Sequence, residues 1–308
     1  MINYSVIIPS KNIPDLLARA LASVPRRDDI QVIVVDDASD PSVVDFDSYP
    51  GLGEAGVEVV FTTEGRGAGF ARNVGLSRAE GRWTLFLDSD DLFTGDCLSL
   101  LDSHLEDDAD IVYFNITSAY SDDLSYSPRH LSRSEYFAGY DGAKREFCCR
   151  YLYTEPWGKM FRTSFLRASG ILFDETPLAN DFKFSVKAGI AAGTVGTDAR
   201  ALCCITERKG SLSNDFCSNE FQLSVRLAVY NEVQALLNEA GVRSYPFYKL
   251  VNFTLRHRRS LVPVLKDFCL KASDSGLPAG AGYRRVASKA FLCRILFSRY
   301  HRRHWAIF

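Results

Sequence analysis

At 308 residues with 46% apolar content, the chain exceeds one average domain and can bury a sizeable core. Its formal charge is −2, and it holds no uninterrupted apolar run of the roughly 18 residues that a membrane-spanning helix needs. The composition agrees with a soluble enzyme, and no membrane-spanning helix is expected. Its eight cysteines include the adjacent pairs Cys148-Cys149 and Cys203-Cys204, without C-x-x-C spacing or a nearby histidine cluster. Reduced, mostly buried thiols are expected, not a zinc centre.

A first strand is predicted at Tyr4-Ser5-Val6-Ile7-Ile8-Pro9. Its early start leaves no room for a secretory leader, so a cytoplasmic chain is expected. Leu16, Leu17, Ala20 and Leu21 then recur at helical spacing. A second strand, Ile30-Gln31-Val32-Ile33-Val34-Val35, ends in Asp36-Asp37-Ala38-Ser39-Asp40. A third is predicted at Val57-Glu58-Val59-Val60-Phe61, followed by a helix through Phe70, Ala71, Val74 and Gly75. A fourth, Trp83-Thr84-Leu85-Phe86-Leu87, runs straight into Asp88-Ser89-Asp90-Asp91. Strands alternating with helices predict right-handed βαβ units and a parallel sheet.

Two of these strands end in carboxylates, on the side of an open α/β sheet where ligands bind. Alternate side chains of an extended chain point the same way, so Asp88 and Asp90 are expected to converge while Asp91 turns elsewhere. Mg²⁺ takes one or two carboxylates and completes its shell with water and substrate phosphates, so this end fits a metal–diphosphate site. It also fits a solvated acidic turn that caps the next helix. The glycine-rich stretch Gly65-Arg66-Gly67-Ala68-Gly69 is not a dinucleotide fingerprint. Such a fingerprint follows the first strand of its unit and has a defined acidic partner downstream.

Several ordered motifs together resemble the glycosyltransferases of family 2, which have the GT-A fold. They are Ser5-Val6-Ile7-Ile8-Pro9-Ser10-Lys11-Asn12, then Val34-Val35-Asp36-Asp37-Ala38-Ser39-Asp40, then Gly67 to Leu76, then Phe86-Leu87-Asp88-Ser89-Asp90-Asp91. A further match runs from Pro156-Trp157-Gly158-Lys159-Met160-Phe161-Arg162 through Gly170-Ile171-Leu172-Phe173 to Asp181-Phe182-Lys183-Phe184. The resemblance covers about residues 2–190 and implies an α/β, Rossmann-like, mostly parallel sheet flanked by helices, with a helical C-terminal extension. It implies a catalytic domain over residues 1–210, with its nucleotide-sugar part at about 1–115 and its acceptor part at about 116–210. A basic helical region over 211–308 would follow.

The implied activity is metal-dependent sugar transfer, with inversion, from a nucleotide donor, most often UDP-linked, to an acceptor hydroxyl. Pro9, Asp36, Asp37, Arg72, Asp88 and Ser89 would line the donor. Asp37, or else Asp36, would accept the uracil ring N–H, a task suited to an acceptor-only carboxylate. Arg72 offers a fork of donors for a base edge or a phosphate, or forms a surface ion pair. Asp88 would face the ribose or donor sugar and share Mn²⁺ or Mg²⁺ with Asp90. The glycines before Arg72 would let its helix approach the nucleotide closely. Asp181 would be the inverting base, or an N-cap of its helix. The residue before it is usually Glu in the family and is Asn180 here, which puts that neighbouring acidic role in doubt.

On the acceptor side, residues 118–145 are predicted as a polar loop region, and Cys148 to Gly170 as the wall. Trp157 is a candidate sugar platform or a core residue, and Lys159 lies beside it. A polyprenyl-phosphate sugar synthase would share all of this and differ in acceptor, whereas a catalytically inactive nucleotide-sugar binding module would keep the donor site alone. A sugar-nucleotide pyrophosphorylase would need a glycine-rich signature beside the first strand, which is absent.

The near-neutral total hides an asymmetry. Residues 1–240 carry 22 Lys and Arg against 36 Asp and Glu, a net of −14, whereas residues 241–308 carry 14 against 2, a net of +12. Arg256-His257-Arg258-Arg259, Arg284-Arg285 and Arg299 to His304 are interleaved with Phe291, Leu292, Ile295, Leu296, Phe297 and Trp305. Such a tail suits the inner surface of an anionic membrane, and equally a helical subdomain docked on the acidic catalytic part. No nucleic-acid motif accompanies the charge. The expected partners are therefore a nucleotide-sugar donor, a glycan or lipid-linked acceptor and an anionic membrane surface.

Overall fold

A computed structural model describes residues 1–208 and 220–242. The chain opens with β1 (Tyr4–Ser10), α1 (Pro14–Ser23), β2 (Ile30–Asp36), β3 (Val57–Phe61), α2 (Ala68–Arg78) and β4 (Trp83–Phe86). It continues through β5 (Leu92–Phe93), α3 (Cys97–Asp102), β6 (Ile111–Tyr120), α4 (Leu131–Ala138), α5 (Gly142–Tyr151) and β7 (Lys159–Arg162). α6 (Thr163–Ser169), α7 (Asn180–Ala191), β8 (Val195–Glu207) and α8 (Glu220–Glu239) complete the described elements.

The strands form one eight-stranded sheet in the order β3-β2-β1-β4-β7-β6-β8-β5. β3, β2, β1 and β4 run parallel, β7 runs antiparallel to both its neighbours, and β8 returns parallel to β6. Every residue of β1 is buried, which an apolar run without alternation requires when helices cover both faces. α1 starts with Pro14 in its first turn, where a missing N–H costs nothing, and buries Leu17, Ala20 and Leu21. This is the mixed, mostly parallel α/β sheet expected from the motif order.

Two sequence expectations are corrected. β4 ends at Phe86, and residues 88–91 form a turn closed by the Asp91 N–H donating to the Asp88 carbonyl at 3.0 Å. The alternation argument for Asp88 and Asp90 therefore does not apply. Residues 118–145 are not a loop region: they hold the end of β6, a short 3₁₀ turn, α4 and the start of α5. α4 buries Tyr136 and Phe137, and Asp141 caps α5 by accepting the Lys144 N–H at 2.9 Å. The polar composition concealed those two signals.

The first compact unit runs from Met1 to Gly241, ending where the charge of the chain changes sign. It includes α8, which the sequence reading assigned to the C-terminal region. α8 packs on α7, with Phe182 and Tyr230 edge to face at 5.1 Å and Lys183 bound to Glu232 at 2.6 Å. Among the described residues Cys97, Cys148, Cys149, Cys203 and Cys204 are free thiols, and no helix is long and apolar enough to cross a membrane. The basic clusters of the tail lie outside the described residues, as does the helical form expected beyond residue 242.

Candidate active site

The turn after β4 is held from two sides. Arg19 of α1 donates to the Asp90 carbonyl at 2.9 Å and to the Ser121 carbonyl at 2.6 Å. Thr206 of β8 donates its hydroxyl to the same Asp90 carbonyl at 2.7 Å, and its N–H to Asp91 Oδ1 at 2.6 Å. Asp91 is thus a buried anchor, and burial together with the charges of Asp90 and Asp88 pushes its carboxyl well above the usual carboxylate range. Ser89 is buried within the turn. Asp88 and Asp90 remain partly exposed, and each faces an arginine. Burial and the charge of Asp88 raise Asp90, while Arg208, bound at 3.2 Å, opposes the rise.

At the end of β2 the two carboxylates divide their work. Asp36 is fully buried; its oxygens accept the Ser39 N–H at 2.8 Å, the Ser39 hydroxyl and the Tyr49 hydroxyl at 2.9 Å. These bonds make it a support for the loop. Asp37 accepts the Arg66 N–H at 3.0 Å and the Gly67 N–H at 2.8 Å, with Lys11 at 3.4 Å. It faces the start of α2, where Gly67 takes a φ of 95° that a side chain would disfavour. Pro9 is buried in β1 opposite Val35. Non-glycine residues with positive φ flank these groups: Asn12 at 58°, Ala38 at 56° and Ala179 at 55°. Strain of this kind costs about 1–3 kcal/mol per residue and clusters at working sites.

Arg72 on α2 is buried and joins the turn to α7. Its Nη2 donates to Asp88 Oδ1 at 2.6 Å and its Nη1 to Asn180 Oδ1 at 3.0 Å. The pair is therefore internal and not the surface pair weighed from sequence. Gly69 lies against the backbone of Asp174: a Cβ there would sit 2.0 Å from the Asp174 carbonyl oxygen. This glycine serves close packing of α2 on the strand-like segment before α7, which Asn73 reinforces with two hydrogen bonds to the Phe173 backbone.

Asp181 occupies the first turn of α7, where the positive end of the helix favours an anion. No side-chain cap bond is formed there; the N-cap residue is Ala179. One turn on, Phe184 stacks on Phe173 at 3.7 Å and meets Phe86 and Phe161 edge to face, which fixes the helix start. Asp181 is half-buried, its carboxyl densely surrounded, and burial pushes it up to about 6 against the opposing pull of Arg72. The other acidic groups on this side are already paired. Glu155 binds Arg133 of α4, and Asp174 binds Lys183 at 2.9 Å.

Of the two readings weighed for Trp157 the structure shows the core residue, and Lys159 beside it is also interior. Trp157 is buried in the aromatic core, edge to face with Tyr153 at 5.7 Å, and presents no open platform. Lys159 is fully buried and donates Nζ to the Tyr153 carbonyl at 2.6 Å and to the Glu155 carbonyl. Burial pulls it down to about 7. It stitches together the wall that carries Glu155. Arg19, Arg133 and Arg208 were not singled out from sequence, and their partners lie too far along the chain for spacing to reveal them.

The sequence profile described as Glycosyl transferase family 2 matches residues 5–170. The poly(ribitol-phosphate) β-N-acetylglucosaminyltransferase TarS of Staphylococcus aureus is 28% identical over 253 residues, covering 78% of this chain and 42% of that protein. The succinoglycan biosynthesis protein ExoW of Rhizobium meliloti is 34% identical over 143 residues, 44% of each chain. The chain thus spans less than half the length of either relative. The crystal structure of residues 1–349 of S. aureus TarS in complex with UDP-GlcNAc superposes with a TM-score of 0.59 at 22% identity, over 88% of this chain and 81% of that one. That likeness concerns the fold, which is the GT-A architecture.

Proposed function

From the chain's membership of glycosyl transferase family 2, we propose that it transfers a sugar, with inversion, from a UDP-linked donor to a hydroxyl of a glycan or lipid-linked acceptor in surface-polysaccharide assembly. TarS, a transferase of N-acetylglucosamine with a structure containing UDP-GlcNAc, and ExoW, a succinoglycan biosynthesis protein, support the donor and the setting. The observation that carries the reading is the bridge made by Arg72. One guanidinium ties the acidic turn at Asp88 to Asn180, the residue next to Asp181. On this reading the bridge would set a diphosphate-binding half beside a carboxylate suited to proton abstraction.

Each role follows from the chemistry of the group. Asp37, held by two backbone N–H groups, keeps lone pairs for the ring N–H of uracil, while Asp36 supports it from the interior. Asp88 and Asp90 supply the hard oxygens that Mn²⁺ or Mg²⁺ takes beside substrate phosphates, and their mutual repulsion is what a cation would relieve. Bound there, the ion would supply charge stabilisation for the leaving diphosphate. Asp181, at about 6, is ionised at neutral pH yet basic enough to take the acceptor's proton, whereas Glu155 and Asp174 are occupied by cations. Asn180 has a bonding role of its own, which weakens the ground for an inactive binding module. The basic tail would hold the enzyme on an anionic membrane surface.

A turnover assay across UDP- and GDP-sugars, with MnCl₂ or with EDTA, tests the reading. UDP release that EDTA abolishes is expected. UDP binding without turnover of any sugar would leave a binding module.

A further inference from the structure

A second charged cluster lies at the opposite end of β4 from the acidic turn. A surface cavity of about 610 Å³ there is lined by Arg82, Arg162, Thr163, Ser164 and Arg167, and by no carboxylate. Arg82 immediately precedes β4, and Arg162 pairs with Trp83 where β7 meets it. Residues 1–240 carry 36 acidic groups against 22 basic ones, so three guanidiniums lining one cavity without an acid run against the charge of their surroundings.

The carboxylates beside Arg162 are turned elsewhere. Arg162 donates to the carbonyls of Ala109, at 3.1 Å, and of Asp107, while the Asp107 carboxylate holds His104 at 2.7 Å and that of Asp110 takes the Gly193 N–H at 2.7 Å. Arg167 donates to the Ala79 carbonyl. Among the described residues neither arginine forms an ion pair, and the pair of Arg82 with Glu106, at 2.8 Å, involves a carboxylate that is 79% exposed and neutralises little.

Carbonyl partners fix the direction of a guanidinium without cancelling its charge. The Trp83 ring, with its centroid 4.8 Å from the Arg162 guanidinium carbon, adds a second support. Arg162 Nη1 and Arg167 Nε and Nη1 still donate to nothing among the described residues. Pre-set forks with spare donors suit an anion with several oxygens, because the ordering cost of binding is already met.

We propose that this cavity binds a phosphate group, carried by a soluble ester or a lipid headgroup, at a site separate from the acidic turn. Ser164 adds an exposed hydroxyl at its rim. The site does not depend on the nucleotide-sugar reading, since none of its residues belongs to the donor pocket.

Arginine side-chain NMR of the full chain, titrated with potassium phosphate and separately with KCl at matched ionic strength, tests this for wild type, Arg167→Gln and Arg167→Lys. Phosphate should shift the Nε–H signals of Arg162 and Arg167 saturably, and KCl should not. Arg167→Gln should weaken phosphate binding about tenfold and Arg167→Lys by less, the loss of one charged hydrogen-bonding partner, with UDP affinity in MnCl₂ unchanged in both. Signals that KCl moves as far as phosphate does, or equal phosphate affinity in Arg167→Gln and wild type, overturn the site. Sedimentation with phosphatidylglycerol vesicles separates the sources: weaker sedimentation of Arg167→Gln assigns the phosphate to a lipid headgroup, and unchanged sedimentation beside weakened phosphate binding assigns it to a soluble ester.

Discussion

Asn180 Oδ1 accepts a hydrogen bond from Arg72 Nη1 at 3.0 Å, across 108 residues of sequence. The amide holds the guanidinium in line with Asp88, so the partner of Arg72 here is neutral where the family usually has an acid. Asn180→Ala should leave a buried donor unpaired and cost about 1–3 kcal/mol, read from the urea midpoint. It should also weaken UDP binding, because Asp88 and Arg72 lose their registration with α7. Unchanged stability and unchanged UDP affinity would show that the bond contributes nothing.

Gly69 gives a sharper test of the packing between α2 and the segment before α7. A methyl group there would lie 2.0 Å from a backbone oxygen, which cannot swing aside. Gly69→Ala should destabilise by about 1–3 kcal/mol although alanine is the better helix former. A variant as stable as wild type would mean that the segment yields easily.

The carboxyl of Asp181, pushed by burial from the ordinary 3.8 up to about 6, sets two pH dependences. As a base it works deprotonated, so kcat/KM should rise with pH through about 6 and level off above, a limb that Asp181→Asn should lack. For stability the sign is opposite. Its folded value lies above the unfolded one, so its favourable contribution is present below 3.8 and lost as pH rises through about 6. At pH 8 the buried charge costs up to about 3 kcal/mol, so Asp181→Asn should melt higher than wild type there and near it at pH 4. Equal melting temperatures at both pH values would contradict the desolvated carboxyl.

The first four strands and two helices were legible because β1, β2 and β4 are buried runs and α1 keeps helical spacing. The acidic strand ends were legible as residue types. Their partners were not: Asp36 is satisfied by Ser39 and Tyr49, and Arg72 reaches Asn180, contacts made by tertiary folding. Trp157 and Lys159 show the same limit from the other side. Both residue types serve binding sites and interiors alike, and only the wall formed around Tyr153 decides for the interior. α4 escaped notice because its short apolar face, Tyr136 and Phe137, sits within a polar stretch.

The tail proposal can be checked without structure. Deleting residues 289–308 should release the protein from acidic vesicles, and binding of the intact chain should fall with added salt. Sedimentation unaffected by the deletion would favour a docked subdomain.

Asp181→Asn tests the central claim most directly. The amide keeps the shape of the carboxyl and cannot take a proton, so the defect should lie in chemistry alone. UDP release from UDP-GlcNAc with MnCl₂, measured beside calorimetric donor affinity, should show turnover reduced about 10²-fold or more with donor binding unchanged. Turnover equal to wild type, or a loss that lies wholly in donor affinity, would contradict the assignment of Asp181 as the base.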